Sequence, residues 1–213
     1  QEIRKYESEN GANESTYWQI FELLWRDFFR FMFKKHQTKF FLYSGIKTEN
    51  KNSKSLNEKL LSQWVNGTTP SDFINANMIE LQKTGFMSNR GRQNVASYFC
   101  NELNMDWRFG AAYFEEQLID YDVCSNYGNW NYVAGVGSDP REDRSFNINT
   151  QSSKYDQNGQ FVKHWLPELK QIPADKLIAF NSLSANELSS YGVNLGKNYP
   201  FSIISFPKYS KRF

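Results

Sequence analysis

Apolar residues recur at helical spacing along most of this chain, with short polar breaks between the segments. Strict strand alternation and a strand–helix rhythm are both missing. Residues 1–13 are charged and predict a helix ending near Asn10-Gly11-Ala12-Asn13. Thr16 followed three residues later by Gln19 predicts a capping box. The helix it opens runs to about His36 and is apolar on most sides, with Trp18, Phe21, Leu24, Trp25, Phe28, Phe29 and Phe31. Such all-round apolarity predicts a central, buried helix. Glu22, Arg26 and Arg30 share one stripe of it, which reads either as a salt-bridged face or as a cavity wall carrying Glu22 and Trp25.

Further along, residues 43–56 read as a surface loop, and 57–66 as a short helix with Leu60, Leu61 and Trp64 inward. Ser71 or Asp72 can cap a helix over 73–84, which Gly85 ends. Helices are expected over 89–103 and 109–121, with Asp106-Trp107-Arg108 between them. Residues 126–143 carry too much Gly and aromatic content for a regular element, and 146–159 read as loop. Pro167 opens a short helix in 163–169, 186–191 forms a last one, and the remainder is coil. The expected fold is all-α, a single domain over 1–213.

Composition narrows the chemistry. At 213 residues the chain is long enough for one sizeable core. A net charge of +2 confines any nucleic-acid contact to a local basic patch. Cys100 and Cys124 lack metal-ligand spacing and read as reduced, buried residues of a reducing compartment. His36 and His164 form no ligand motif, and no apolar run is long enough to span a membrane. The aromatic fraction, 17%, exceeds what a core of this size needs, so some of the rings call for another use.

Residues 84–137, TGFMSNRGRQNVASYFCNELNMDWRFGAAYFEEQLIDYDVCSNYGNWNYVAGVG, show where that use lies. Asn89, Arg90, Arg92 and Gln93 crowd one short stretch, Asp120 and Asp122 flank Tyr121, and Trp107, Trp130 and Tyr132 follow among glycines. This mixture suits a pocket for a flat polar ring system with another ring presented to it. Composition alone would also allow solvated aspartates and tryptophans that serve only as core.

The same stretch resembles the flavin-binding helical domain of the photolyase/cryptochrome family, its DASH branch in particular. The likeness continues outward to STYWQIFELLWRDFF at 15–29, to SFN at 145–147, and to FVKHWLPEL at 161–169 and NLGKNYP at 194–200. It implies FAD as cofactor and light-driven repair of cyclobutane pyrimidine dimers in single-stranded DNA. By position, it implies that Asn126 faces flavin N5, that Asp120, Tyr121 and Asp122 grip the flavin, and that Arg92 pairs with Asp120. It sets Asn89 and Arg90 between flavin and DNA, and Glu22, Trp25, Gln93, Tyr132 and Gln151 at the mouth that receives a flipped dimer. Trp130 and Trp107 match the two inner members of a tryptophan electron chain.

The chain also departs from the family. The antenna domain and the loop that holds the FAD pyrophosphate lie upstream of what this sequence matches, so a separate chain or a larger complex is an implied partner. Thr69-Pro70-Ser71-Asp72 stands where the family has Thr-Gly-x-Pro, and Asn75 and Ile79 replace a paired Asp and Arg. No tryptophan stands near Ser53 and Lys54, the distal position of the electron chain, for which Tyr98 is the candidate substitute. Besides the flavoprotein, two further readings follow: a flavin- or DNA-binding module without catalysis, and a degenerate, non-catalytic structural subunit.

Overall fold

The computed structural model describes residues 1–47, 54–139 and 145–200. Among them eleven α-helices follow one another, with one isolated bridge between Leu195 and Tyr199 and no strand, so the all-α expectation holds. α1 (Glu2–Asn10) buries nothing. α2 (Glu14–His36) starts earlier than Thr16. Asn13 is its N-cap, and the box closes between Asn13 and Thr16, each side chain accepting from the other's backbone N–H at 3.1 Å. The expected Thr16–Gln19 box is thereby corrected: Asn13 caps at least as well and sits three residues before Thr16.

α3 (Glu58–Val65) and α4 (Asp72–Thr84) form where the pattern put them. Ser71 caps α4, and Gly85, left-handed at φ 67°, ends it. α5 (Asn89–Ser97) passes into a π turn at Tyr98–Glu102, and α6 (Trp107–Gln117) starts two residues early because Asp106 caps it through the Arg108 N–H. α7 (Val123–Val133) overturns the irregular reading over 126–133, while 134–139 is turn and coil as expected and 140–143 lies outside the described residues; Asp122 caps α7 through Ser125, and its one glycine, Gly128, serves close packing. A Cβ on Gly128 would lie 2.2 Å from Cδ1 of the Phe29 ring of α2, far inside contact distance. α8 (Ile148–Tyr155) likewise occupies an expected loop, capped by Asn147.

α9 (Gln160–Trp165) is tied down by Asp156, whose carboxylate accepts from the N–H groups of Phe161 and Val162, both at 2.9 Å. Pro167 opens a 3₁₀ turn after it. α10 (Ala174–Ile178) was not foreseen, and α11 (Ala185–Ser190) was. The core lies between α4, α5, α6 and α7 around Trp64, which meets Phe99, Phe114 and Trp130 ring to ring. α2 lies against α7 at the margin of this core. Only Thr16 and Phe29 of α2 are buried, and Leu24 and Phe31 are 61% and 72% exposed, which corrects the expectation of a central helix.

Candidate functional site

α2, α5, α6 and α7 enclose a hollow of about 680 Å³, open on one side. Its wall is built by helix spacing. On α2, Glu22, Trp25 and Phe29 fall on one face. On α5, Asn89, Arg92, Gln93 and Ala96 do the same, presented by a helix that Ser88 caps through the Gly91 N–H at 3.0 Å. The link from α6 to α7 brings in Asp120, Tyr121 and Asp122, and α7 adds Asn126, Trp130 and Tyr132.

The polar side of the hollow is held in place. Arg92 donates through Nη2 to both Asp120 oxygens, at 2.8 and 2.9 Å, and through Nε to the Met87 carbonyl at 2.8 Å. A guanidinium pinned at three acceptors keeps its charge and its direction. Burial alone would raise the Asp122 carboxyl; the Ser125 amide and hydroxyl and the Arg30 guanidinium outweigh it and hold it below the usual carboxylate range. The expected Glu22–Arg26–Arg30 stripe is not an ion-paired face: Arg26 pairs with Asp27 and Arg30 reaches Asp122 at 3.4 Å. Asn126 is buried, lines the hollow and donates from Nδ2 to the Ala111 carbonyl at 3.0 Å.

The apolar side comes from residues the sequence did not single out. Phe29, Phe114, Leu118, Val133 and Phe146 line it with Trp130. Phe114 stands on the same face of α6 as buried Ala111, a spacing that could have flagged it. At the rim, Trp25 meets Tyr132 edge-on at 6.2 Å and Phe29 at 5.7 Å.

Three of the expected site residues stand outside this lining. Arg90 donates to Gln93 at 2.8 Å and lies over the Tyr155 ring at 5.0 Å. Gln151 is one turn before Tyr155 on α8, with Oε1 buried and unpartnered. Trp107 is 2% exposed, donates its indole N–H to the Tyr43 carbonyl at 3.0 Å and meets Tyr127 edge-on.

The departures have local explanations. Asn75 closes a neutral knot: Oδ1 accepts from the Thr69 N–H and hydroxyl at 2.8 and 2.7 Å, and Nδ2 donates to the Thr69 carbonyl and the Tyr199 hydroxyl. No arginine is required beside an amide satisfied in this way. Near the position where the resemblance implies a distal tryptophan, the Lys54 ammonium donates to the Cys100 carbonyl at 2.5 Å; Ser53 lies outside the described residues. Both cysteines are free; burial pushes the Cys100 thiol up to about 12, and Cys124 is partly buried. Among the described residues no His, Cys, Asp and Glu group could hold a metal ion, and no helix is long and apolar enough to cross a membrane.

An isoalloxazine has two apolar faces and one edge of hydrogen-bonding nitrogen and oxygen atoms. The hollow offers that same division, with room of the size small-molecule sites have. The residues therefore fit a flavin.

Comparison with known proteins agrees. The family described as the FAD binding domain of DNA photolyase matches residues 18–213. A cryptochrome DASH of Synechocystis is 52% identical over 97% of this chain and 42% of its own length, and that of Xenopus laevis 48% identical over 99% and 40%. The crystal structure of a Synechocystis cryptochrome superposes with a TM-score of 0.91 at 51% identity, covering 96% of this chain and 42% of that one. A class III photolyase from Agrobacterium tumefaciens gives 0.80 at 30% identity, covering 93% and 41%. The chain thus spans about two fifths of the length of these relatives. A degenerate structural subunit is not favoured by an open hollow with its polar wall in place. The chain belongs to the DNA photolyase family through its FAD-binding domain, alongside the cryptochromes DASH, and FAD is the cofactor of that domain.

Proposed function

We propose that this chain is the single flavin-bearing domain of a DASH-type photolyase that splits cyclobutane pyrimidine dimers in single-stranded DNA under blue light. The observation that carries the reading is the open hollow flanked by the Arg92–Asp120 pair, Asn126 and the Trp25–Tyr132 rim. When bound, FAD supplies the light absorption and the one-electron chemistry.

The chain's own residues bind, orient and shield. Arg92, fixed by Asp120 and Met87, places positive charge beside the ring system; Asp122 and Tyr121 close the same side, and Asn126 presents an amide at the N5 position. Trp25 and Tyr132 stack the flipped bases, which returns about 1–3 kcal/mol per base against an unstacking cost of a few kcal/mol. Glu22 and Gln93 hydrogen-bond the dimer's polar edges. Asn89, in the wall of the hollow, and Arg90, beside Gln93, stand between flavin and DNA, and Gln151 joins Gln93 at the mouth that receives the dimer. Trp130 and Trp107 relay electrons. The FAD pyrophosphate is held by the portion of the relatives that this chain does not match, whether that portion is joined to it or supplied by a second polypeptide.

The experiment is illumination of the FAD-loaded chain with a dimer-containing single-stranded oligonucleotide and a reductant. Loss of dimers in the light but not in the dark is expected. Unchanged dimer content with flavin bound would overturn the repair reading.

A further inference from the structure

An electron chain that ends on Trp107 ends inside the protein, since Trp107 is 2% exposed and the sequence has no tryptophan near Ser53 and Lys54. Among the described residues, the tyrosine ring that meets Trp107 is Tyr127 of α7, edge-on with centroids 6.1 Å apart. Tyr127 is one turn before Trp130 on the same helix face. Gly110 of α6, one turn after Trp107, lets α6 close onto α7, because a Cβ there would strike the Trp130 ring. The Tyr127 hydroxyl donates to Glu115 Oε2 at 3.1 Å, and Glu115 is exposed to solvent.

We propose that Tyr127, with Glu115 as its proton acceptor, is the terminal donor that carries an oxidising equivalent from Trp107 to the surface. The proposal rests on the hollow being a flavin seat, with a photoexcited oxidised flavin as the one-electron oxidant at the inner end. One electron passes from the Tyr127 ring to the oxidised Trp107 indole. The phenolic O–H bond breaks, and its proton binds Glu115 Oε2. A tryptophan radical cation, a phenol and a carboxylate thus become a neutral tryptophan, a neutral tyrosyl radical and a carboxylic acid, with charge conserved. A soluble thiol returns the electron and proton later.

The surroundings favour Tyr127 over other tyrosines. Burial and the Glu115 carboxylate push its phenol up to about 12, so it keeps its proton through the neutral range. Oxidation must then shed that proton, and the acceptor is already in place. Tyr121 also faces Glu115 and is raised, chiefly by burial, but the ring that meets Trp107 is that of Tyr127. Tyr43 also touches Trp107, through its carbonyl, but its hydroxyl accepts from the Lys54 N–H and the Arg108 guanidinium lies over its ring at 5.6 Å. A cation on the ring opposes oxidation, and among the described residues no carboxylate is shown accepting its proton. Tyr98, the substitute expected from the sequence, is buried in the core.

The test follows radicals after a blue flash on the FAD-loaded chain, by transient absorption and electron paramagnetic resonance. A tryptophanyl signal should give way to a tyrosyl signal. Tyr127→Phe should abolish the tyrosyl signal and Tyr43→Phe should keep it, while Glu115→Gln should slow its appearance about 10-fold or more. A tyrosyl signal that survives Tyr127→Phe, or a tryptophanyl radical as the last species in the unmodified chain, overturns the proposal. If the chain takes up no flavin, the flavin seat fails, and the relay is read separately. Azide radicals from pulse radiolysis then oxidise tryptophan in the flavin-free protein, and spin trapping with peptide mapping locates the end radical. Trapping at Tyr127 that Trp107→Phe removes supports the relay, and trapping unaffected by Trp107→Phe or absent at Tyr127 overturns it.

Discussion

α2 and α4 look alike as strings of apolar residues, yet the structure uses them in opposite ways. α4 buries eight of its 13 residues, including the polar Asp72, Asn75 and Asn77. α2 buries two of 23 and turns Leu24 and Phe31 to solvent while Glu22, Trp25 and Phe29 face the hollow. The difference teaches that α4 is a stability element and α2 a wall. α4 can be read by asking what a change does to folding, and α2 by asking what it does to the site.

The sharpest way to break this comparison is to truncate one large apolar residue on each helix. Met78 is fully buried, so Met78→Ala should cost about 2–5 kcal/mol in denaturant unfolding. Phe31→Ala on the exposed side of α2 should stay within about 0.5 kcal/mol. Equal losses would make α2 as much a core helix as α4.

The next effect is a pH dependence seated on α4. Burial raises the Asp72 carboxyl to about 7; the Phe73 N–H lowers it in part and Asp156 raises it further. The folded state therefore holds a proton that the unfolded chain gives up at about pH 4. Stability linked to this group is complete below that value, declines as pH rises towards 7, and is flat beyond. Asp72→Asn should remove the decline, leaving the variant more stable than the parent at pH 8 by about 2–4 kcal/mol and similar to it at pH 4. Parallel pH profiles for the two proteins would exclude Asp72 as the source.

A smaller effect joins the two regions. Gly128→Ala drives a methyl group against the Phe29 ring and should cost about 1–3 kcal/mol while loosening α2 from α7. Hydrogen exchange should show faster opening of α2 and an unchanged α4; uniform change would mean that the two helices open together. Smallest in stability is Arg92→Ala. The pair is partly exposed, 27% on Arg92 and 49% on Asp120, so unfolding should move by no more than about 1 kcal/mol. Its flavin affinity, measured by titration, should fall by at least an order of magnitude. Intact affinity would place Arg92 outside the flavin contact.

α4 was legible because its start and stop rest on local chemistry, a Ser71 cap and a left-handed Gly85. The hollow was legible in its polar wall, because Asn89, Arg92, Gln93, Asp120 and Asp122 stand too close together for a core to want them. α7 was hidden by glycines that look like helix breakers; Gly128 is there for the Phe29 ring, a reason visible only in three dimensions. α2 misled for the converse reason. Aromatic residues on every side erase the amphipathic stripe, and the sequence cannot say which side the rest of the fold covers. The Tyr127–Glu115 pair spans two helices at a separation that no local pattern encodes.

The account stands on the hollow being a seat for flavin, and the absorption spectrum of the purified, folded chain after incubation with FAD and removal of the excess tests it most directly. A retained flavin band that Arg92→Ala diminishes is the predicted result. A well-folded chain that keeps no flavin at any FAD concentration would contradict it.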